Sequence, residues 1–303
     1  MSQPLNNLSD TPRDAGLHTA DVITEPMDQP VFSGSERSAL KFAVSPAQRE
    51  FLLKEQFYRR KVTILRSMLL VLFLALWELG AQTGAINDFI FSSPSRIARC
   101  FLTMAEGGTI FFHIGITLFE TLLSFLLVVF LGLLCSLLLW MSKSFSDVME
   151  PYLVALNSLP KSALAPLLIV WLGNNMKTII VAAVSVAVFG SIMTLFTSFR
   201  QTDPEKIKLI YSLGGKRKDV LSKVLLPSSV PIIISNMKVN IGLCLVGVII
   251  GEFLAANAGL GYLIIYGQQT FRMDQVVMSI VILCLVSAVL YQGITLLEKK
   301  IQH

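Results

Sequence analysis

Four ionisable residues, Glu78, Glu120, Lys161 and Glu252, lie inside or beside long apolar runs. A charge there is costly unless it meets a partner, a backbone group or water. Glu78 and Glu120 stand near the ends of their runs and read as interfacial groups or as partners between helices. Lys161 follows Pro160 in a run interrupted by Asn157-Ser158-Leu159-Pro160-Lys161. A proline and a lysine are tolerated in a span only where protein or water satisfies them, so Asn157, Pro160 and Lys161 are candidates for lining a translocation pathway. Glu252 closes another run and either orders the segment Gly259-Leu260-Gly261-Tyr262 or belongs to the same pathway.

Beyond these four the chain holds little chemistry. There is no G-x-x-x-x-G-K-[ST] nucleotide loop, because Gly214-Gly215-Lys216 lacks the upstream glycine and the following hydroxyl residue. If ATP is used, another chain binds it. His18, His113 and His303 have no ligand-like neighbours, and Cys100, Cys135, Cys244 and Cys284 form no C-x-x-C pair. Three of the four cysteines sit in apolar runs as small packing residues. An enzymatic reading has little to stand on.

The elements that must position these residues follow from composition. Of 303 residues, 53% are hydrophobic and 15% charged, with a mean hydropathy of +0.66, whereas soluble domains carry about 25% charged residues. Several runs reach the roughly 20 residues that cross a bilayer, so the expected class is an all-α polytopic membrane protein. Six spans are expected, at about 62–81, 116–140, 152–172, 177–199, 232–253 and 276–297, with residues 141–151 as a short linker. An amphipathic piece at 96–104 is placed outside. Residues 1–44 read as a solvated, disordered tail without a cleavable leader, and 45–61 as a basic amphipathic helix on the cytoplasmic surface. The net charge of +5 comes from basic residues in connectors beside spans. It therefore reports topology, with both termini cytoplasmic, and not nucleic-acid binding.

One connector stands apart. Residues 202–231, TDPEKIKLIYSLGGKRKDVLSKVLLPSSVP, form a polar, mostly basic island. Asp203 can cap a helix that Pro204 starts, and Ile207, Ile210, Tyr211 and Leu213 make an apolar stripe. Gly214-Gly215 breaks it. A second turn, with Val220, Leu221 and Val224 to Leu226 apolar, is expected to close at Pro227. Such a unit between two spans invites a partner protein.

The connector resembles the cytoplasmic loop of ABC importer permeases of the binding-protein-dependent type. In that signature a Glu-Ala-Ala triplet is followed by three residues, Gly, nine residues, Ile, one residue and Leu-Pro. Gly214 is followed after nine residues by Val224, Leu225, Leu226 and Pro227, whereas the triplet positions hold Lys208, Leu209 and Ile210. Trp77-Glu78-Leu79, the stretch Ser158-Leu159-Pro160-Lys161-Ser162-Ala163-Leu164-Ala165-Pro166-Leu167, Trp171-Leu172-Gly173 and Gly259-Leu260-Gly261-Tyr262-Leu263-Ile264 look like the nitrate, sulfonate, taurine and bicarbonate group. That group also includes permeases for thiamine pyrimidine precursors.

The resemblance implies a type I ABC importer permease fold over 62–303, with a coupling loop at about 200–228. Asp203, Glu205, Ile207, Ile210, Tyr211, Leu213, Gly214, Gly215, Leu226 and Pro227 would meet an ATPase. It implies a homodimer, two separate ATPase subunits holding ATP and Mg, an external or periplasmic solute-binding protein and a bacterial inner membrane. A self-sufficient secondary carrier or channel is the rival, and it would need the intramembrane charges for coupling.

Overall fold

A computed structural model of the chain describes residues 46–85 and 87–301; the tail expected at 1–44 lies outside them. The described residues are helical, and no strand occurs among them. The chain divides into two units, Met1–Met68 and Leu69–His303. The described part of the first belongs to helix α1 (Pro46–Gln82). The surface helix and first span expected as separate elements are thus one helix of 37 residues. Nothing interrupts it, since no proline follows Pro46 and no glycine occurs before Gly80.

In the second unit, α2 (Asp88–Phe91) and α3 (Pro94–Glu106) precede the long α4 (Thr109–Met141). Ser93 caps α3, its hydroxyl accepting from Arg96 N at 3.4 Å, and Pro94 supplies the fixed φ that suits a first turn. Next come α5 (Lys143–Ser158), α6 (Lys161–Leu172) and α7 (Met176–Arg200). Of the expected linker 141–151, Met141 ends α4 and residues 143–151 are the start of α5. Ser142 caps it, accepting from Phe145 N at 3.3 Å, and Pro151 is accommodated inside the helix. The helix stops where Pro160 forces Leu159 out of helical space, to φ −62° and ψ 139°. α5 and the body of α6 meet at a bend of 101°. Among the described residues five helices are long and apolar enough to cross a membrane, and six when this bent pair counts as one span.

The connector contains α8 (Pro204–Ser212), the short α9 (Arg217–Val220) and a π turn at Leu221–Leu225, which leads directly into α10 (Leu226–Ala255). Pro227 therefore does not close the connector. It lies at the second position of α10, inside a helix that runs on from Arg217 to Ala255. The π turn carries the helix past it, with Leu226 N bonding Leu221 O. α11 (Leu260–Gln269) and α12 (Met273–Ile301) complete the fold.

The packed heart is α4, α7 and α10. Small residues allow close approach, as where Gly247 lies against Ala183, and Val128, Ala187, Cys244 and Val248 are fully buried. Thr117 of α4 and Ile179 of α7 both lie at the Gly251-Glu252 end of α10, so α4 and α7 run together and α10 runs against them. α12 packs Met278 and Ile282 against Ile110, Leu245 and Leu260. Large apolar side chains such as Phe130, Val170, Leu285 and Val289 are exposed, as expected of surfaces whose solvent is lipid.

Candidate functional site

The connector presents a helix with two defined ends. Asp203 caps α8 by accepting from Glu205 N at 2.9 Å. At the other end Gly215 N bonds Ile210 O at 2.9 Å and Gly214 N bonds Tyr211 O at 3.0 Å. This pair of bonds is a Schellman ending, which needs a residue with positive φ; Gly214 supplies φ +79°. A Cβ on Gly215 would lie 2.5 Å from Ile210 Cγ2. The Gly214-Gly215 break is therefore a defined stop. The expected apolar stripe divides in two: Ile207 and Ile210 are half-buried, while Tyr211 and Leu213 are exposed together with Leu209. Leu225 is fully buried beneath, against Leu195 and Phe199 of α7, so the base of the connector is keyed to the core. Leu226 and Pro227 belong to that base.

A second cluster occupies the opposite end of α10. Glu252 is 1% exposed and has no lysine or arginine partner among the described residues. Its Oε1 accepts from Thr117 Oγ1 at 2.7 Å and its Oε2 accepts from Gly261 N. Thr117 Oγ1 in turn accepts from Leu260 N at 2.8 Å, and His113 Nδ1 accepts from Gly259 N at 3.0 Å. The first N–H groups of a helix have no internal partners; here those of α11 are satisfied by side chains of α4 and α10. The positive end of the α11 dipole also faces the Glu252 carboxyl.

The two glycines follow from this geometry. A Cβ on Gly259 would collide with the Glu252 carboxyl, and one on Gly261 would come within 2.7 Å of Oε2; Gly259 also holds φ +116°. Glu120, equally buried, lies beside Glu252. The Glu120 Oε2, with Thr121 Oγ1 and Ser124 Oγ on the same helix, has no hydrogen-bond partner among the described residues. Farther along α10, Asn236 and Asn240 both donate to Ser191 Oγ, at 2.8 and 3.0 Å. A buried polar seam thus follows the heart of the bundle.

The broken span is the third feature. Lys161 Nζ donates to Asn157 O at 2.6 Å and to Asn157 Oδ1 at 3.4 Å, bridging the bend across exposed Pro160. Asn157 and Lys161 are therefore together, but Glu252 is elsewhere. Asn157 faces Gly190 whereas Gly251, beside Glu252, faces Ile179, and eleven residues of α7 between those points are about 16 Å. Glu78 accepts from Gln82 Nε2, Ser95 N and Ser95 Oγ, tying α1 to the start of α3.

Sequence reasoning missed Thr117, His113 and Glu120 as members of the Glu252 cluster. The i, i+3 spacing of Thr117 and Glu120, and the i, i+4 spacing of His113 and Thr117, put them on one face of α4. That spacing was the available signal.

An all-helical bundle with a bent span, a buried polar seam and exposed apolar side chains on a basic connector fits a membrane transport subunit. Residues 128–303 match the family described as binding-protein-dependent transport system inner membrane component. The chain belongs to that family, and so is a permease of the ABC importer kind. A probable ABC transporter permease protein of Haemophilus influenzae is 31% identical over 235 residues, 77% of this chain and 95% of that protein. The putative aliphatic sulfonates transport permease SsuC of Bacillus subtilis is 26% identical, covering 80% of this chain and 88% of its own length. The taurine transport permease TauC of Escherichia coli is 23% identical over 80% of this chain and 90% of its own. Among solved structures, a chain of the inward-facing MetNI methionine ABC transporter superposes with a TM-score of 0.57 at 15% identity, over 65% of this chain and 97% of that one. At that identity the likeness concerns the fold.

Proposed function

We propose that this permease is a non-catalytic subunit whose α8 docks on a separate ATPase, that two copies enclose one pathway, and that ATP and Mg are held by two ATPase partners. The observation that carries the reading is the exposure of Leu209, Tyr211 and Leu213, at 58%, 47% and 76%, on a helix capped at both ends. Apolar side chains exposed on a basic connector have no lipid to cover them, and a protein groove would. Asp203 and the Gly214-Gly215 ending hold the helix; Glu205, Ile207, Ile210, Tyr211 and Leu213 form the docking surface. Leu226 and Pro227 join that surface to α10. ATP-driven closure of the ATPases then biases the bundle between two packed arrangements.

The basic residues Arg200, Lys206, Lys208, Lys216, Arg217, Lys218 and Lys223 favour a cytoplasmic connector in a bacterial inner membrane, with both termini on the same side. A solute-binding protein docks on the opposite face, near the loops around Arg96 and Gly259. Asn157, Pro160 and Lys161 line the pathway at the bend, and Glu252 holds its outer end. The cargo is a small anion of the sulfonate type, a choice supported by the names of two relatives and by the cation at Lys161. A formylaminopyrimidine permease and a riboflavin permease, each 26% identical, favour a heterocycle as the second reading.

The test is uptake into proteoliposomes holding the permease with its ATPase and binding protein, over a panel of sulfonates, nitrate, bicarbonate, pyrimidines and riboflavin. ATP-dependent uptake of a sulfonate is expected. Uptake by the permease alone, driven by an ion gradient, would overturn the reading.

A further inference from the structure

We propose that the cavity between α3 and the start of α12 binds the headgroup of an anionic phospholipid. The cavity has a volume of about 680 Å³, and its charged lining residues are Arg96, Arg99, Arg272 and Asp274. Arg96 is committed: its Nε and Nη2 donate to Asp274 Oδ2 at 3.3 and 3.1 Å. Asp274 also accepts from Ser92 Oγ at 2.7 Å, and Ser92 is fully buried with φ +57°. That pair is neutral as a unit. Arg99 and Arg272 remain, and among the described residues neither has an ion-pair partner. Cys100 on the wall adds no negative charge, because burial, aided by the charge of Asp274, pushes its thiol up from its ordinary value.

Depth and rim point to a lipid and not to a free anion. α12 opens the span Met273–Lys300, and α3 ends three residues before the span Thr109–Met141. The cavity therefore lies where hydrocarbon gives way to headgroups. Phe89 and Phe271 line it and are 56% and 67% exposed, with Ile90 and Phe91 exposed beside Phe89. A small soluble anion does not need that apolar rim, whereas a phospholipid covers rim and guanidinium groups together. Phe271 reaches its place with φ +56°, a strained backbone for a non-glycine residue.

The test is native mass spectrometry of the full-length permease with phosphatidylglycerol or phosphatidylcholine of the same acyl chains. Wild type is expected to retain phosphatidylglycerol about twenty-five-fold better, each arginine contributing roughly a factor of five. Arg99→Gln with Arg272→Gln should lower retention to the phosphatidylcholine level, and Arg99→Lys with Arg272→Lys should keep most of it. Equal retention of the two lipids, or no loss in the glutamine variant, overturns the proposal. So does displacement of phosphatidylglycerol by millimolar inorganic phosphate or methanesulfonate, which would make the site one for soluble anions. A glutamine variant that keeps the lipid but loses the solute-binding protein would instead assign the arginines to that partner.

Discussion

Thr117 Oγ1 donates to Glu252 Oε1 at 2.7 Å across 135 positions of sequence. Because the same hydroxyl accepts from Leu260 N, its one hydrogen is directed at the carboxylate. Gly261 N occupies the other oxygen. Glu252 thus accepts at both oxygens, and Glu120, equally buried, lies beside it.

Glu120→Gln disturbs neither of the hydrogen bonds to Thr117 and Gly261 and should leave melting and uptake near wild type. Glu252→Gln sets an amide N–H against Thr117 or Gly261 and loses one buried hydrogen bond, about 1–3 kcal/mol. Thermal unfolding in detergent should separate the two variants clearly. Equal shifts would refute the assignment of donor and acceptor.

The glycines offer a matched pair. Gly261→Ala places a methyl 2.7 Å from Glu252 Oε2 and 2.8 Å from Glu252 Cβ, whereas a Cβ at Gly242 meets nothing within 4 Å. Gly261→Ala should destabilise by roughly 1–3 kcal/mol and reduce transport. Gly242→Ala should be neutral or stabilising by up to about 1 kcal/mol, as alanine is a better helix former. Melting of the two variants side by side is the measurement, and similar losses in both would count against the clamp.

At the connector, Gly214→Val forces a β-branched residue into φ +79° and should dissolve the Schellman ending of α8. ATP hydrolysis by the assembled complex should then lose its stimulation by solute, while the permease itself melts near the wild-type temperature. Leu213→Ser removes an exposed side chain, so it should weaken ATPase co-purification without changing melting at all. Complexes that assemble and couple normally in both variants would remove α8 from the coupling role.

Lys161 bridges the bend by two bonds to Asn157. Lys161→Met frees both acceptors and removes the cation, so uptake of an anionic solute should fall, with the larger effect on KM if the charge attracts the solute. Lys161→Arg should restore much of that KM. If the two variants are equally impaired in kcat alone, Lys161 serves the bend and not the solute.

Much of this protein is legible along the chain because its governing rules are local. Twenty-residue apolar runs must be helices in lipid, since no water satisfies their backbone. Basic connectors, a proline after a cap and a glycine at a helix end are likewise read within a few residues. This is why α3, α8 and the Gly214 stop stand where the sequence places them.

Other features depended on neighbours far away in sequence. Pro227 looks like a terminator, but the turn of π-helix before it lets α10 run on to Ala255, because Leu225 is anchored against Leu195 and Phe199. Residues 143–151 look like a linker and are helix. Above all, Glu252 is ambiguous in sequence, since one carboxylate at the end of an apolar run has no visible partner. Only the packing of α4 against α10 brings Thr117, His113 and Glu120 to it and to the start of α11. The sequence by itself determined a helical membrane protein with one protruding connector, because hydropathy and caps act over a single turn or span. The tertiary structure decided which buried polar groups meet, because an unpaired group in a low-dielectric interior is costly and its partner can come from any helix that packs beside it.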